Sequence, residues 1–108
     1  MYTGTHDNDT LCGWYKVLDP EDLKLSQKYM NNANTPKRQI HWDFIRLALA
    51  SVADLCIIPL QDYLGLGSEA RINTPSTLGN NWRWRMTQGC LTKELADQIR
   101  ELTTLYGR

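Results

Sequence analysis

Net charge is the first thing this sequence lacks: twelve Lys and Arg are balanced by twelve Asp and Glu over 108 residues. Without a basic excess there is no electrostatic footprint for nucleic acid or for an anionic membrane, so neither is an expected partner. Long apolar runs are missing as well. The hydrophobic stretches are interrupted by polar residues well short of the ~20 that a spanning helix needs, and no charged-then-apolar leader opens the chain. Membrane spanning and secretion are therefore not expected. Cysteine is scarce: Cys12, Cys56 and Cys90 are odd in number, widely separated and without any C-x-x-C or Cys/His ligand spacing. That excludes a disulfide scaffold and a zinc site as sequence readings, and fits reduced thiols in a cytoplasmic protein. No residue pattern asks for a metal or another cofactor.

What is present is an ordinary globular composition, 42% hydrophobic and 22% charged, at a length that allows one hydrophobic core at most. Tyr2 to Thr5 read as the end of a strand, because aromatic and β-branched residues precede a polar turn. Asp19-Pro20-Glu21-Asp22 is a helix start, with Asp19 as N-cap and Pro20 at the first helical position, and this mostly polar helix should end near Asn31-Asn32. Thr35-Pro36 opens a second helix on which Ile40, Phe44 and Leu47 form one apolar stripe and Trp42, Ile45, Leu49 and Val52 another. A helix apolar on two stripes must be largely buried. Leu55 to Leu60 is a continuous apolar run, the pattern of a parallel strand covered on both faces, with Pro59 marking its exit from the ladder. A Gly/Asn/Pro/Ser-rich loop then runs through residue 81, and Thr92 caps a last helix carrying Leu95, Ile99, Leu102 and Tyr106, with Gly107 as its C-cap.

The order strand, helices, strand, loop, helix predicts an α/β chain with parallel strands joined by a right-handed crossover. Two strands cannot bury both faces of a sheet, so the chain reads as part of a larger α/β domain rather than a complete one. Both long polar loops follow strand C-termini, where α/β folds and barrels place their sites.

The densest polar cluster is His6-Asp7-Asn8-Asp9-Thr10. A phosphotransfer D-x-D-x-T motif fails on spacing, because Thr10 follows Asp9 directly. A D-x-D metal pair is a three-letter match that arises often by chance, and a metal-dependent His-Asp phosphohydrolase needs further ligands. The bland alternative is a helix-capping turn, which accounts for Asp9 or Thr10 but leaves the histidine over. His41, the other histidine, is expected as a packed or partly exposed helix residue rather than a ligand, and Trp42 as core. Trp82 and Trp84 alternate with Arg83 and Arg85, which suits either an edge strand with one buried face or an aromatic platform for a sugar ring.

"YTGTHDNDT" (residues 2 to 10), "PLQDYLGLGSEARINTPSTLGNNWRWR" (59 to 85) and the apolar helix between them resemble the C-terminal part of the 4-α-glucanotransferases, also called amylomaltases or disproportionating enzymes. The similarity spans nearly the whole chain. It implies the C-terminal portion of a (β/α)8 TIM barrel, with Tyr2 to Thr5 ending the seventh strand and Leu55 to Leu60 forming the eighth. It further implies a retaining double displacement that passes α-1,4-glucan segments between maltooligosaccharides. Asp7 matches the family's third carboxylate, a transition-state stabiliser, His6 its hydroxyl-binding neighbour, and Asn73 a position that contacts bound glucan. Ser76 stands where many relatives have glycine.

The family's nucleophile and acid/base lie on earlier barrel strands, and no other Asp or Glu here stands in matching context. The expectation is therefore a partial catalytic barrel over residues 1 to 108, a truncated or split reading frame that is inactive alone and takes a complementary N-terminal chain as a partner. The alternative is a small stand-alone carbohydrate-binding or interaction module. The coding sequence immediately upstream distinguishes the two: it should encode the rest of the barrel under the first reading only.

Overall fold

The computed structural model describes residues 1 to 108. Five α-helices follow one another: α1 (Leu11–Lys16), α2 (Pro20–Met30), α3 (Ile40–Leu49), α4 (Leu60–Tyr63) and α5 (Lys93–Leu105), with 3-10 turns at Lys37–Gln39 and Ser68–Ala70. The helix starts written into the sequence form as local chemistry requires. The Asp19 carboxylate accepts the Glu21 and Asp22 amides at 2.9 Å, Pro20 fills the first position, and Asn31 ends α2 in the left-handed conformation at φ 51°. Thr92 accepts the Leu95 amide at 3.1 Å. At the far end of α5, Gly107 (φ 69°) allows its own amide to reach Thr104 O and the Arg108 amide to reach Thr103 O, a Schellman closure.

Neither expected strand forms as a regular strand; a single parallel bridge stands in their place. Residues 1 to 3 pair in parallel with 55 to 57 through Met1 N to Leu55 O (2.8 Å), Ile57 N to Met1 O (3.0 Å) and Thr3 N to Ile57 O (3.3 Å), the only bridge being Tyr2 with Ile57. The direction is the one expected, and Pro59 does stand beyond the ladder. The expected boundary at Leu60 is corrected, since Pro59 caps α4 and Leu60 is already helical. Burial on both faces is corrected too: Leu55 is 63% and Ile57 43% exposed, because two paired segments leave an outer edge on each side with nothing packed over it.

The second apolar helix differs at both ends from its sequence pattern. Pro36 lies just before a single 3-10 turn, and regular α-helix begins only at Ile40. Thr35 instead donates to Asp43 (2.6 Å) and accepts from Asn32 (2.6 Å), closing the connection from α2. α3 ends at Leu49, so Val52 lies beyond it, fully exposed, and does not extend the stripe. The rest of the two-stripe expectation describes the centre of the molecule. Trp42, Ile45 and Leu49 join Leu11 of α1 and Leu102 of α5 in the core, with Phe44, Leu95, Ile99 and Tyr106 packed around them. Ile45 is completely buried, which contributes ~2–3 kcal/mol of apolar burial. The Arg108 guanidinium fastens α5 to the end of α3 by donating to Leu49 O, Ser51 O and Ala53 O at 2.7–2.8 Å.

Asp62 is the least expected structural residue. Only 2% exposed, its carboxylate accepts the Thr3 hydroxyl at 2.6 Å and the Leu11 amide at 2.9 Å. One acid on α4 thus secures the end of the paired segment and supplies negative charge to the first amide of α1. Its removal strands one buried and one partly buried donor, so Asp62→Ala is expected to cost about 3 kcal/mol. Asp62→Asn, which keeps one acceptor oxygen, should cost clearly less. Denaturant titration of the two variants measures the difference, and equal losses would show that the charge alone matters.

His41 packs as the sequence suggests, 5% exposed, with Trp42 beside its ring and Nδ1 without a hydrogen-bond partner. Gly65 passes directly over the imidazole at φ 64°, where a Cβ would come within 2.8 Å of the ring, so only glycine serves there. Burial pushes the His41 pKa below its ordinary 6.5; the Asp62 and Asp43 carboxylates work in the opposite direction without offsetting it. The folded chain therefore holds fewer protons at this site than the unfolded chain. The stabilisation is complete above the unfolded value and is lost as the pH falls below about 6.5 towards the lower folded value. Thermal midpoints should drop from about pH 7.5 to about pH 5.5, and His41→Gln should flatten that slope. An unchanged slope in the variant would assign the pH dependence to other groups.

Candidate functional site

The polar cluster after the first paired segment divides into structural and unspent members. Asn8 closes the turn, its Oδ1 accepting both the amide (2.7 Å) and the hydroxyl (2.8 Å) of Thr5. Asp9 accepts the Thr10 amide at 2.8 Å and the Ser68 hydroxyl at 2.7 Å, tying the loop to the 3-10 turn after α4. Thr10 is the N-cap of α1, accepting the Gly13 amide at 3.1 Å. The capping reading thus holds for Thr10, while Asp9 serves as a tie to the Thr10 amide and to Ser68. α1 itself was not legible, since six residues are too few to show a helical period. His6 and Asp7 remain, with side chains 53% and 48% exposed.

These two residues are held by the loop after α4, more than sixty positions away. Asn73 Nδ2 donates to Asp7 Oδ1 at 2.7 Å, and the Asn73 amide donates to His6 O at 3.1 Å. His6 Nε2 stands 3.3 Å from the same Asp7 oxygen. The structure therefore brings together all three residues singled out from the sequence. Asp7 Oδ2 accepts no hydrogen bond from the protein, and the side chain is half exposed. Arg71 was missed. Its guanidinium donates to Asp7 O at 2.7 Å and to Asn73 O at 2.9 Å, bracing both loops through main-chain oxygens. Because main-chain carbonyls exist at every position, nothing in the sequence marks Arg71 for this role.

The loop from 72 to 82 is a closed unit. Asn81 accepts the Thr74 amide at 2.9 Å and donates to the Thr77 hydroxyl at 3.0 Å. Ser76 adopts φ 62°, a left-handed conformation in which glycine is the least strained residue. Trp82 also lies at positive φ, 60°, so the edge-strand reading of residues 82 to 85 is corrected: this backbone is not extended. The indole is 65% exposed and stacks on His6, ring centres 5.0 Å apart at 34°. Trp42, by contrast, is core at 9% exposure.

A hollow of about 550 Å³, lined in part by Tyr2, Thr5, His6, Asp7, Ile57 and Ile72, opens beyond the C-terminal ends of the two paired segments. No three His, Cys, Asp or Glu side chains lie close enough together to hold a metal ion. No helix is long and apolar enough to cross a membrane. The site offers one carboxylate oxygen, an imidazole, an amide and an aromatic face. Those groups suit a neutral ligand rich in hydroxyls, whose O–H groups donate to the carboxylate and whose C–H faces lie against a ring.

Comparison with known proteins identifies the family of the chain. Residues 1–92 match the family model described as 4-alpha-glucanotransferase. The chain is 47% identical to the 4-alpha-glucanotransferase of Synechocystis and 45% identical to the chloroplastic/amyloplastic enzyme of Arabidopsis thaliana, in each case over all of this chain but only 21% and 19% of the relative. Among solved structures it resembles an amylomaltase from Streptococcus agalactiae in complex with acarbose, with a TM-score of 0.91 and 36% identity over 99% of this chain and 21% of that one. The chain thus spans about a fifth of the length of the relatives it matches. With its two long motifs in the family's order and its backbone superimposing on the corresponding fifth of an amylomaltase, the chain belongs to the 4-alpha-glucanotransferase family.

Proposed function

We propose that these residues form the donor-sugar grip of a 4-alpha-glucanotransferase, the closing portion of a TIM barrel that moves α-1,4-glucan segments onto acceptor sugars. The observation that carries the reading is the convergence of His6, Asp7 and Asn73 at the C-terminal ends of two parallel segments, where barrel enzymes keep their sites. The parallel pairing of 1 to 3 with 55 to 57 supports assignment of these segments as the last two barrel strands. Their open outer edges are the places where neighbouring strands would pair. Three free thiols fit a reducing, cytoplasmic setting.

In this reading a carboxylate nucleophile attacks the anomeric carbon, a second carboxylic acid protonates the departing oxygen, and a sugar hydroxyl later resolves the glucosyl-enzyme. Both groups come from barrel strands that precede this segment, on the same polypeptide or on a complementary chain. Asp7 contributes differently. Its ionised Oδ2 accepts a hydroxyl of the donor sugar, and that bond strengthens as the ring becomes cationic. His6 binds a neighbouring hydroxyl. Asn73 holds the Asp7 carboxylate and meets the glucan from the other loop. No metal is needed for any of these steps.

The 108 residues alone are expected to release no glucose from maltotriose, while a chimera carrying them in place of the matching fifth of the Synechocystis relative should transfer glucan. A chimera that folds yet stays inactive, with maltooligosaccharide binding retained by the isolated chain, would favour the stand-alone module. Within an active chimera, Asp7→Asn keeps size but removes charge. Turnover should fall about a hundredfold, equivalent to ~3 kcal/mol in the barrier, with KM much less affected. Steady-state kinetics decides, and an unaltered turnover number would remove Asp7 from the reaction.

A further inference from the structure

Trp82 is the costliest residue near the site in conformational terms. A bulky side chain at φ 60° sits in a region that glycine or asparagine enters far more readily, so the conformation is strained. Two contacts offset it. The Trp82 amide donates to Ile72 O at 2.7 Å, and the indole lies on the His6 imidazole at 5.0 Å and 34°. The first contact is available to any residue but proline, whereas the second requires an aromatic ring. The turn leading into it is built to the same end. Gly79 and Asn80 are also left-handed, and Asn81 pins the loop back onto Thr74 and Thr77. The chain reverses and delivers residue 82 above residue 6.

His6 otherwise has little to hold it. Its side chain is half exposed, and its one polar neighbour is the Asp7 oxygen at 3.3 Å, which is long for a hydrogen bond. An imidazole on an open loop rotates freely about two bonds unless a surface stops it. We infer that Trp82 is a positioning residue for His6: by stacking on the imidazole it keeps Nε2 directed at Asp7 and makes the His6–Asp7 pair rigid before a sugar arrives. The glucan part of this inference rests on the function proposed above; the stacking part does not. Preorganisation of this kind lowers the cost of binding, because the rotamers are fixed before the ligand is met.

The test uses the 108-residue chain with selectively labelled histidine. The ring protons of His6 should resonate upfield in the wild type through the indole ring current. They should return towards the exposed-histidine position in Trp82→Ala and remain displaced in Trp82→Phe. In the Synechocystis chimera, titration with maltoheptaose should show binding weakened roughly tenfold by Trp82→Ala, restored by Trp82→Phe and unaffected by Trp84→Ala. His6 resonances that ignore Trp82→Ala, or that respond to Trp84→Ala instead, overturn the inference. Normal stacking shifts with no maltoheptaose binding by the folded chimera would leave the positioning intact and count against the glucan reading. Should the alanine variant unfold, Trp82→Phe decides alone: loss of the His6 displacement with the fold intact refutes the stack.

Discussion

The arrangement depends first on one buried carboxylate. Asp62 accepts from the Thr3 side chain and from the Leu11 backbone, two points eight residues apart. The segment between them is the polar loop that carries His6 and Asp7, so both of its ends are fixed on a single side chain. A loop closed in this way has lost most of its freedom before any ligand binds. Four further ties, Asp9 to Ser68, Arg71 to Asp7 O, and Asn73 to both His6 O and Asp7 Oδ1, fix its middle. Each runs to the segment between 62 and 73. The site is therefore a joint between two loops, with α4 as its base.

Polar ties matter here because the apolar core is thin. Only 13 of 108 residues are buried, and the central cluster of α1, α3 and α5 includes neither His6 nor Asp7. Burial holds the helices together, while hydrogen bonds position the loops. That separation makes the site sensitive to single donors and acceptors. Losing one partner of a buried pair costs more than an average bond contributes, because the remaining group stays desolvated.

Features determined within four or five residues were legible in the sequence. Asp19 before Pro20, Thr92 before its helix and Gly107 after it all depend on neighbours along the chain. The paired segments were legible in direction but not in extent or burial, because strand length and coverage depend on what lies alongside. Leu60 shows the difference: its apolar side chain fits a strand, yet Pro59 starts a helix there. Asp62 and Arg71 were illegible for a related reason. Their partners are a hydroxyl, an amide and two carbonyls brought close only by the fold. His6, Asp7 and Asn73 were found through resemblance; polar spacing alone offered a capping turn for Asp9 or Thr10 and assigned the histidine no role.

The hydrogen bonding around Asp7 bears on how a charge can be kept useful. Oδ1 is occupied by the Asn73 amide and faced by His6, while Oδ2 is open. Asn73 is neutral, so it fixes the direction of the carboxylate without cancelling its charge. Arg71 could have paired with the carboxylate directly. Its guanidinium instead donates to the main-chain oxygens of Asp7 and Asn73. A bidentate Arg–carboxylate pair would occupy both oxygens and offset the negative charge with a permanent positive one. With the guanidinium spent on carbonyls, Asp7 is placed as firmly and retains a free, ionisable oxygen. In the function proposed above, that oxygen faces a sugar ring that is neutral on binding and cationic midway through reaction. A carboxylate left uncompensated by its protein neighbours interacts most strongly at that moment, when stronger interaction lowers the barrier rather than merely tightening the substrate complex.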